Sequence, residues 1–145
     1  DKRNTQRVIH GVEMCLSTGR PFSSFHTGAR KERPFRIVQI GLQRERQELY
    51  GRIDKRVQQM LDDGLEAEAR RVFPMRHLNS LNTVGMKEMF LYFEGQYTLE
   101  QAQERICHNT HIYSKKQMTW FKRDKEIHWF DPSQTNEILS FAGNM

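Results

Sequence analysis

The chain has 145 residues, of which 37% are hydrophobic, 10% aromatic and 28% charged, a composition that supports one packed domain and excludes collagen-like, low-complexity or wholly disordered chains. No stretch approaches the roughly 18 consecutive apolar residues of a transmembrane helix, and two cysteines, Cys15 and Cys107, are too few for a disulfide framework and fit a reducing cytoplasm. The formal net charge of +5 is concentrated in islands: residues 1–36 hold eight Lys/Arg against three Asp/Glu, and residues 108–125 hold five against one with two histidines besides. Such islands point to a polyanionic partner, nucleic acid first. The chain opens on Asp1 without a leader and is expected to be a piece of a longer one or a processed product.

In chain order, Val8, Ile9, Val12 and Leu16 recur at helical spacing over residues 5–16, and Thr18-Gly19 with Pro21 should end that helix. Gln6 and Arg7 open it, free to reach a partner or simply to cap it. Residues 26–34 are polar and basic, a loop or linker. Arg36 to Leu42 alternates around Ile37, Val38 and Ile40 and reads as a strand whose partners are expected outside the chain. A helix from Arg44 carries Leu49, Ile53, Val57, Met60 and Leu61 as its apolar stripe and should end with Gly64 in the left-handed conformation. A second runs from Leu65 to Phe73 and stops before Pro74. Residues 75–83 form a loop, and Asn82 or Thr83 is expected to cap a helix reaching Phe93. Thr98 with Gln101 forms a capping box for the longest helix, about 99–122, with Ala102, Ile106, Tyr113 and Trp120 on its buried side. Residues 127–131 read as a short strand, and residues 132–145 are weakly patterned.

Several groups could carry chemistry. Arg52 and Arg56 sit one turn apart, opposite the Ile53 and Val57 stripe, where like charges repel unless an anion lies between them. A phosphate or diphosphate would supply it, since guanidinium forks match its oxygens; alternatively the two are surface arginines, one tied to Glu48 a turn earlier. Between His108 and Arg123, helical spacing puts His108, His111, Lys115 and Lys122 on one face and Lys116 and Arg123 on another. That arrangement suits an RNA backbone, with Tyr113 or Trp120 either available to stack on a base or buried in the core. Asn82-Thr83-Val84-Gly85-Met86-Lys87 places a small residue and free N–H groups at a helix start, a phosphate or base-edge contact if it is more than a cap. A metal site at Cys107, His108 and His111 lacks a completing ligand. The sequence contains no G-x-x-x-x-G-K-S/T loop, no G-x-G-x-x-G, no nucleophile elbow and no His-Glu-x-x-His, and so no complete catalytic motif.

An ordered set of residues does carry a resemblance. Thr5-Gln6-Arg7-Val8-Ile9 is followed by Leu16-Ser17-Thr18-Gly19-Arg20-Pro21-Phe22, then Arg52-Ile53-Asp54-Lys55-Arg56-Val57 with Met60-Leu61 and Gly64-Leu65. After these come Val84-Gly85-Met86-Lys87-Glu88, Tyr92-Phe93-Glu94-Gly95 and Lys115-Lys116-Gln117-Met118-Thr119-Trp120-Phe121. In that order and spacing, the chain resembles the C-terminal half of the tRNA dimethylallyltransferases, also called tRNA isopentenyltransferases, over nearly its whole length to Asp131.

The resemblance implies a mostly helical fragment with one or two short strands, cut from a P-loop-like α/β transferase with a helical insertion domain. Residues 1–33 would end the insertion domain and residues 34–145 would complete the transferase core. It implies transfer of a dimethylallyl group from dimethylallyl diphosphate to N6 of the adenosine 3′ to the anticodon, with Mg²⁺, by a monomeric cytoplasmic enzyme. The nucleotide-type phosphate loop, the general-base Asp and the Mg²⁺ site would lie upstream of Asp1, leaving this piece inactive alone. Arg56 would be catalytic, binding the diphosphate with Arg52 and meeting its departing charge. The tRNA anticodon stem-loop would be held by Gln6, Arg7 and His10, by Asn82, Thr83, Gly85, Met86 and Lys87, and by Lys115, Lys116, Gln117 and Lys122. The family usually carries a basic residue where His10 and His111 stand and a Tyr where Met86 stands. The other reading of the residues is a stand-alone helical RNA-binding module without chemistry, or a structural piece whose basic face confers solubility.

Overall fold

The computed structural model describes residues 4–26 and 33–143, so most of the basic linker expected at 26–34 lies outside the described residues. The chain divides into two compact units, residues 1–37 and 38–145. In the first, α1 spans Thr5–Thr18, and Asn4 caps it by accepting from the Arg7 backbone N–H at 3.1 Å. Capping by Asn4 leaves the side chains of Gln6 and Arg7 without that duty. Gly19 closes the helix in the left-handed conformation, with its N–H donating to the Cys15 carbonyl, and a 3-10 turn follows at Phe22–Phe25. The stripe of Val8, Ile9, Val12 and Leu16 is exposed, Leu16 by 82%.

The second unit holds the core. Its elements are β1 (Gln39–Leu42), α2 (Arg46–Asp62), α3 (Leu65–Val72), α4 (Met86–Phe93), α5 (Leu99–Phe121), β2 (Ile127–Phe130) and α6 (Thr135–Gly143). Glu45 starts α2, its carboxylate accepting from the Gln47 and Glu48 N–H groups. Gly64, at φ 102°, separates α2 from α3 as its place after Asp62-Asp63 predicts. The helix after it ends at Val72, and Pro74 sits inside a 3-10 turn (Phe73–Met75) rather than beyond a longer helix. A further 3-10 turn, Asn79–Leu81, lies within the expected loop. The Thr98–Gln101 capping box forms as expected: Gln101 N–H donates to Thr98 Oγ1 at 3.2 Å and Thr98 N–H to Gln101 Oε1 at 2.9 Å.

Val57, Leu65, Ala69, Met89, Phe90, Ala102 and Ile106 form one buried cluster joining α2, α3, α4 and α5. Met89, Ala69 and Ala102 are fully buried there. The apolar stripe of α2 faces inward because Val57 and Leu61 fall on one side at 100° per residue, and Arg52 and Arg56 fall on the other.

Four expectations are corrected. The strand at 36–42 begins only at Gln39, and its partner is inside the chain: β1 pairs in parallel with β2, Gln39 opposite Ile127 through Leu42 opposite Phe130. Parallel strands need a long crossover, and here the whole α2–α5 array supplies it. The helix at 86–93 is started by Gly85, not by Asn82 or Thr83. Tyr113 and Trp120 are exposed, by 63% and 65%. They share the Ala102 face of α5 by periodicity, but α4 has only 8 residues against the 23 of α5, so that face runs beyond its partner. Finally, the weakly patterned tail contains α6, whose Phe141 ring packs 4.4 Å from His128 and 5.5 Å from Phe130.

A candidate basic cleft

The residues that link β1 to α2 meet the second half of α5 across a cleft of about 730 Å³. Its walls bring Arg44, Arg46, Lys115 and Lys122 together with Gln117 and Met118, and Glu45 is the one acidic residue among the lining residues. The two lysines reach it because Lys115 and Lys122 are seven apart, two helical turns on one face of α5. Arg44 and Arg46 reach it because they flank the residue that caps α2. The Glu45 carboxylate caps α2, accepting from the Gln47 and Glu48 N–H groups at 2.6 and 3.1 Å. Arg44 is matched by Glu48 at 2.8 Å. Arg46, Lys115 and Lys122 have no ion pair among the described residues. Near the rim, the hydroxyl and N–H of Ser133 hold the Asp131 carboxyl below the usual carboxylate range, with a smaller contribution from the Arg44 charge.

Arg46 lies 5.7 Å above the Tyr50 ring, and Tyr50 stacks on His111 at 4.0 Å and 14°. His111 Nε2 is 2.9 Å from Asp54 Oδ1, close but not aligned as a hydrogen bond, so the contact becomes an ion pair only when the imidazole is protonated. One turn earlier, burial and the neighbouring Asp54 carboxylate push the Cys107 thiol up to about 11, so Cys107 is a neutral thiol rather than a nucleophile. Among the described residues, no group of three or more His, Cys, Asp or Glu side chains is placed to hold a metal ion, and the trio Cys107, His108 and His111 does not make one.

The remaining predicted residues lie as follows. Arg52 and Arg56 are exposed on α2 but do not line the cleft. Arg52 approaches Glu48 at 3.7 Å, the tie anticipated for it, whereas Arg56 makes no ion pair among the described residues. Lys116 is exposed outside the cleft lining, and Gln117 is within it. The free N–H groups expected at 82–87 are corrected: the buried Gly85 N–H donates to Glu88 Oε2 at 2.8 Å and the Lys87 N–H to the Thr83 carbonyl at 3.2 Å. The side chains of Asn82, Thr83 and Lys87 remain exposed, and Met86 is half-buried against the core. In the first unit, Arg7 and His10 line a concavity of about 890 Å³ with Phe22 and His26, and Gln6 lies outside that lining. His10 is 4.0 Å from Glu13 and 6.1 Å, edge-on, from Phe22. Sequence reasoning missed Arg44, Arg46, Glu88 and Asn109. A Glu three residues after Gly85, where the acid of a capping box would stand, was the available signal for Glu88, although glycine has no side chain to return the bond.

No helix among the described residues is long and apolar enough to cross a membrane. The chain is 58% identical over 140 residues to tRNA dimethylallyltransferase 2 of Parabacteroides distasonis, covering 97% of this chain and 47% of that protein. It is 64% identical over 132 residues to tRNA dimethylallyltransferase 2 of Porphyromonas gingivalis, covering 91% and 44%. Among solved structures it is similar to the tRNA isopentenylpyrophosphate transferase of Bacillus halodurans, with 34% identity, a TM-score of 0.71, and coverage of 99% of this chain and 46% of that one. The corresponding transferase of Staphylococcus epidermidis is similar too, with 28% identity, a TM-score of 0.70, and coverage of 99% and 50%. The chain therefore spans about half the length of the relatives it matches, and it is a mostly helical fragment of their fold. The family model described as IPP transferase matches residues 1–124, and the chain belongs to that family.

Proposed function

We propose that the chain is the C-terminal half of a tRNA-modifying enzyme that moves a dimethylallyl group from dimethylallyl diphosphate to N6 of the adenosine 3′ to the anticodon. The observation that carries this reading is the convergence of Arg46, Lys115 and Lys122, without ion pairs among the described residues, on one cleft of a chain whose family membership is established. The tRNA in this reading is held by its phosphates along the cleft, with Gln117 beside them and the exposed side chains of Lys116, Asn82, Thr83 and Lys87 as further contacts, while the buried Gly85 and half-buried Met86 shape that turn rather than touch the RNA. Gln6, Arg7 and His10 add another from the first unit. Exposed Tyr113 and Trp120 are then free to stack on bases.

Arg56 is assigned to the diphosphate, with Arg52 beside it. An allylic diphosphate departs when its developing negative charge is met by fixed cations, and Arg56 is a guanidinium with no competing carboxylate among the described residues. Arg52 is only loosely engaged, since an exposed pair at 3.7 Å is weak and screened by solvent. The adenosine must leave its stack before its amine can attack, which requires grips on the flanking backbone such as the cleft provides. A divalent metal would neutralise diphosphate oxygens, and none of the described residues is assigned to it. The phosphate loop and general base belong to the part of the enzyme outside these 145 residues, as do ATP-type nucleotide-binding features.

Arg56→Ala in the full-length protein tests the assignment. Transfer should slow by about 100-fold or more, the scale of a lost charge-stabilising donor, while tRNA affinity changes by less than about threefold. Equal loss of both would remove Arg56 from the chemistry and favour an RNA-binding module without catalysis.

A further inference from the structure

We propose that Glu88 and Asn109 form a buried strut that fixes the 82–87 segment against α5, and that this strut positions the two stretches for tRNA. The inference rests on the function proposed above. Glu88 is 4% exposed, the one charged side chain in the core among the described residues. Both of its oxygens are engaged: Oε2 accepts from the Gly85 N–H at 2.8 Å, and Oε1 accepts from Asn109 Nδ2 at 2.8 Å. The first bond closes the turn at Gly85, which sits at φ 100° and ψ −64°. The second crosses from α4 to α5.

A carboxylate is costly to bury, and an apolar residue would fill the same space without that cost. What the carboxylate adds is direction. Its two acceptors meet two donors that are 24 residues apart in sequence, Gly85 and Asn109, and lock their relative placement. Lys87 immediately precedes Glu88, and Lys115 follows Asn109 by six residues on the same helix. The strut therefore joins the 82–87 segment to the helix that lines the basic cleft. The negative charge also lies in the first turn of α4, where it complements the helix dipole and makes that N-terminus a poor place for a phosphate. The 82–87 segment then works through its exposed side chains, and Glu88 is a positioning residue that touches neither the diphosphate nor the adenosine.

The donor and acceptor can be exchanged. Asn109→Asp sets two carboxylates face to face, whereas Glu88→Gln combined with Asn109→Asp restores a donor opposite an acceptor and leaves an amide oxygen for the Gly85 N–H. In the full-length protein, Asn109→Asp should raise KM for tRNA about tenfold, the scale of a lost hydrogen bond to a charged group. KM for dimethylallyl diphosphate and kcat should each stay within about twofold, and the double variant should recover tRNA KM to within about threefold of wild type. A tRNA KM unchanged by Asn109→Asp, or a double variant no better than the single one, would overturn the strut. If Asn109→Asp does not fold, Asn109→Ala, which removes the donor without adding charge, should raise tRNA KM severalfold at constant kcat. An unchanged value there would be equally fatal. Wild-type protein that transfers nothing would instead refute the proposed function. The strut would then be read from Kd for an anticodon stem-loop, with the same ranking of variants expected and equal Kd values contradicting it.

Discussion

The charge of the cleft makes a prediction that can be worked to a number. Of its four cations, Arg44 is matched by Glu48 at 2.8 Å, which leaves Arg46, Lys115 and Lys122 to meet phosphates. Each phosphate contact to single-stranded RNA adds about 0.7 to the slope of log affinity against log salt, through release of a condensed counterion. Over a fourfold rise in salt, from about 50 to about 200 mM, one contact therefore weakens binding about 2.6-fold, and three together about 18-fold. Replacing Arg46, Lys115 and Lys122 by alanine together should flatten the slope of the full-length protein by about 2 units, and each single replacement by about 0.7. The assay is a titration of a labelled anticodon stem-loop at four or five salt concentrations, with each Kd read directly. Arg105→Ala serves as the control, because Arg105 lies toward the other end of α5 and beside Tyr97, outside this cleft. A triple variant with lower affinity but a line parallel to wild type would refute the reasoning, because its loss would then come from the fold and not from phosphate contacts.

Two further outcomes follow from local geometry. Gly85→Ala should destabilise the protein by about 1–3 kcal/mol in chemical denaturation, because φ 100° with ψ −64° is strained for any L side chain, while no atom lies within 4 Å of the added Cβ to contribute a clash. An unchanged midpoint would show that the turn relaxes without cost. Cys107 should alkylate far more slowly at pH 8 than a model thiol, with its rate rising only toward pH 11. The sign for stability follows: a thiol whose folded value lies above its unfolded value of 9.0 contributes stability at pH below about 9, and that contribution is lost as pH climbs through about 11. A Cys107 rate equal to the model thiol at pH 8 would contradict the effect of burial beside Asp54.

Local signals were legible where the cause is local. The Thr98–Gln101 box, the break at Gly64 and most of the apolar stripe of α2 each depend on residues within a few positions and are found where spacing puts them, whereas Met60 of that stripe is exposed. Pairing of β1 with β2 depends on residues 88 positions apart, Gln39 and Ile127, and alternation within one strand carries no information about its neighbour. Trp120 shows the same limit in a helix: periodicity places it on the Ala102 face, but the length of the facing helix decides whether that face is covered there. The cleft was half legible. Lys115 and Lys122 stood out by spacing on one helix and Gln117 came only with the family resemblance, whereas Arg44 and Arg46 sit at a strand-to-helix junction where no period applies. Nothing in the spacing around Glu88 marks it as buried, because its burial and bond to Asn109 arise from the packing of α4 on α5.

The central claim is the transfer reaction. Its most direct test is mass analysis of tRNA nucleosides after incubating the full-length protein with unmodified tRNA, dimethylallyl diphosphate and Mg²⁺. The account predicts that the adenosine 3′ to the anticodon gains one dimethylallyl group, with the increment absent when the diphosphate is omitted. Unmodified adenosine from a protein that still binds the tRNA would contradict it.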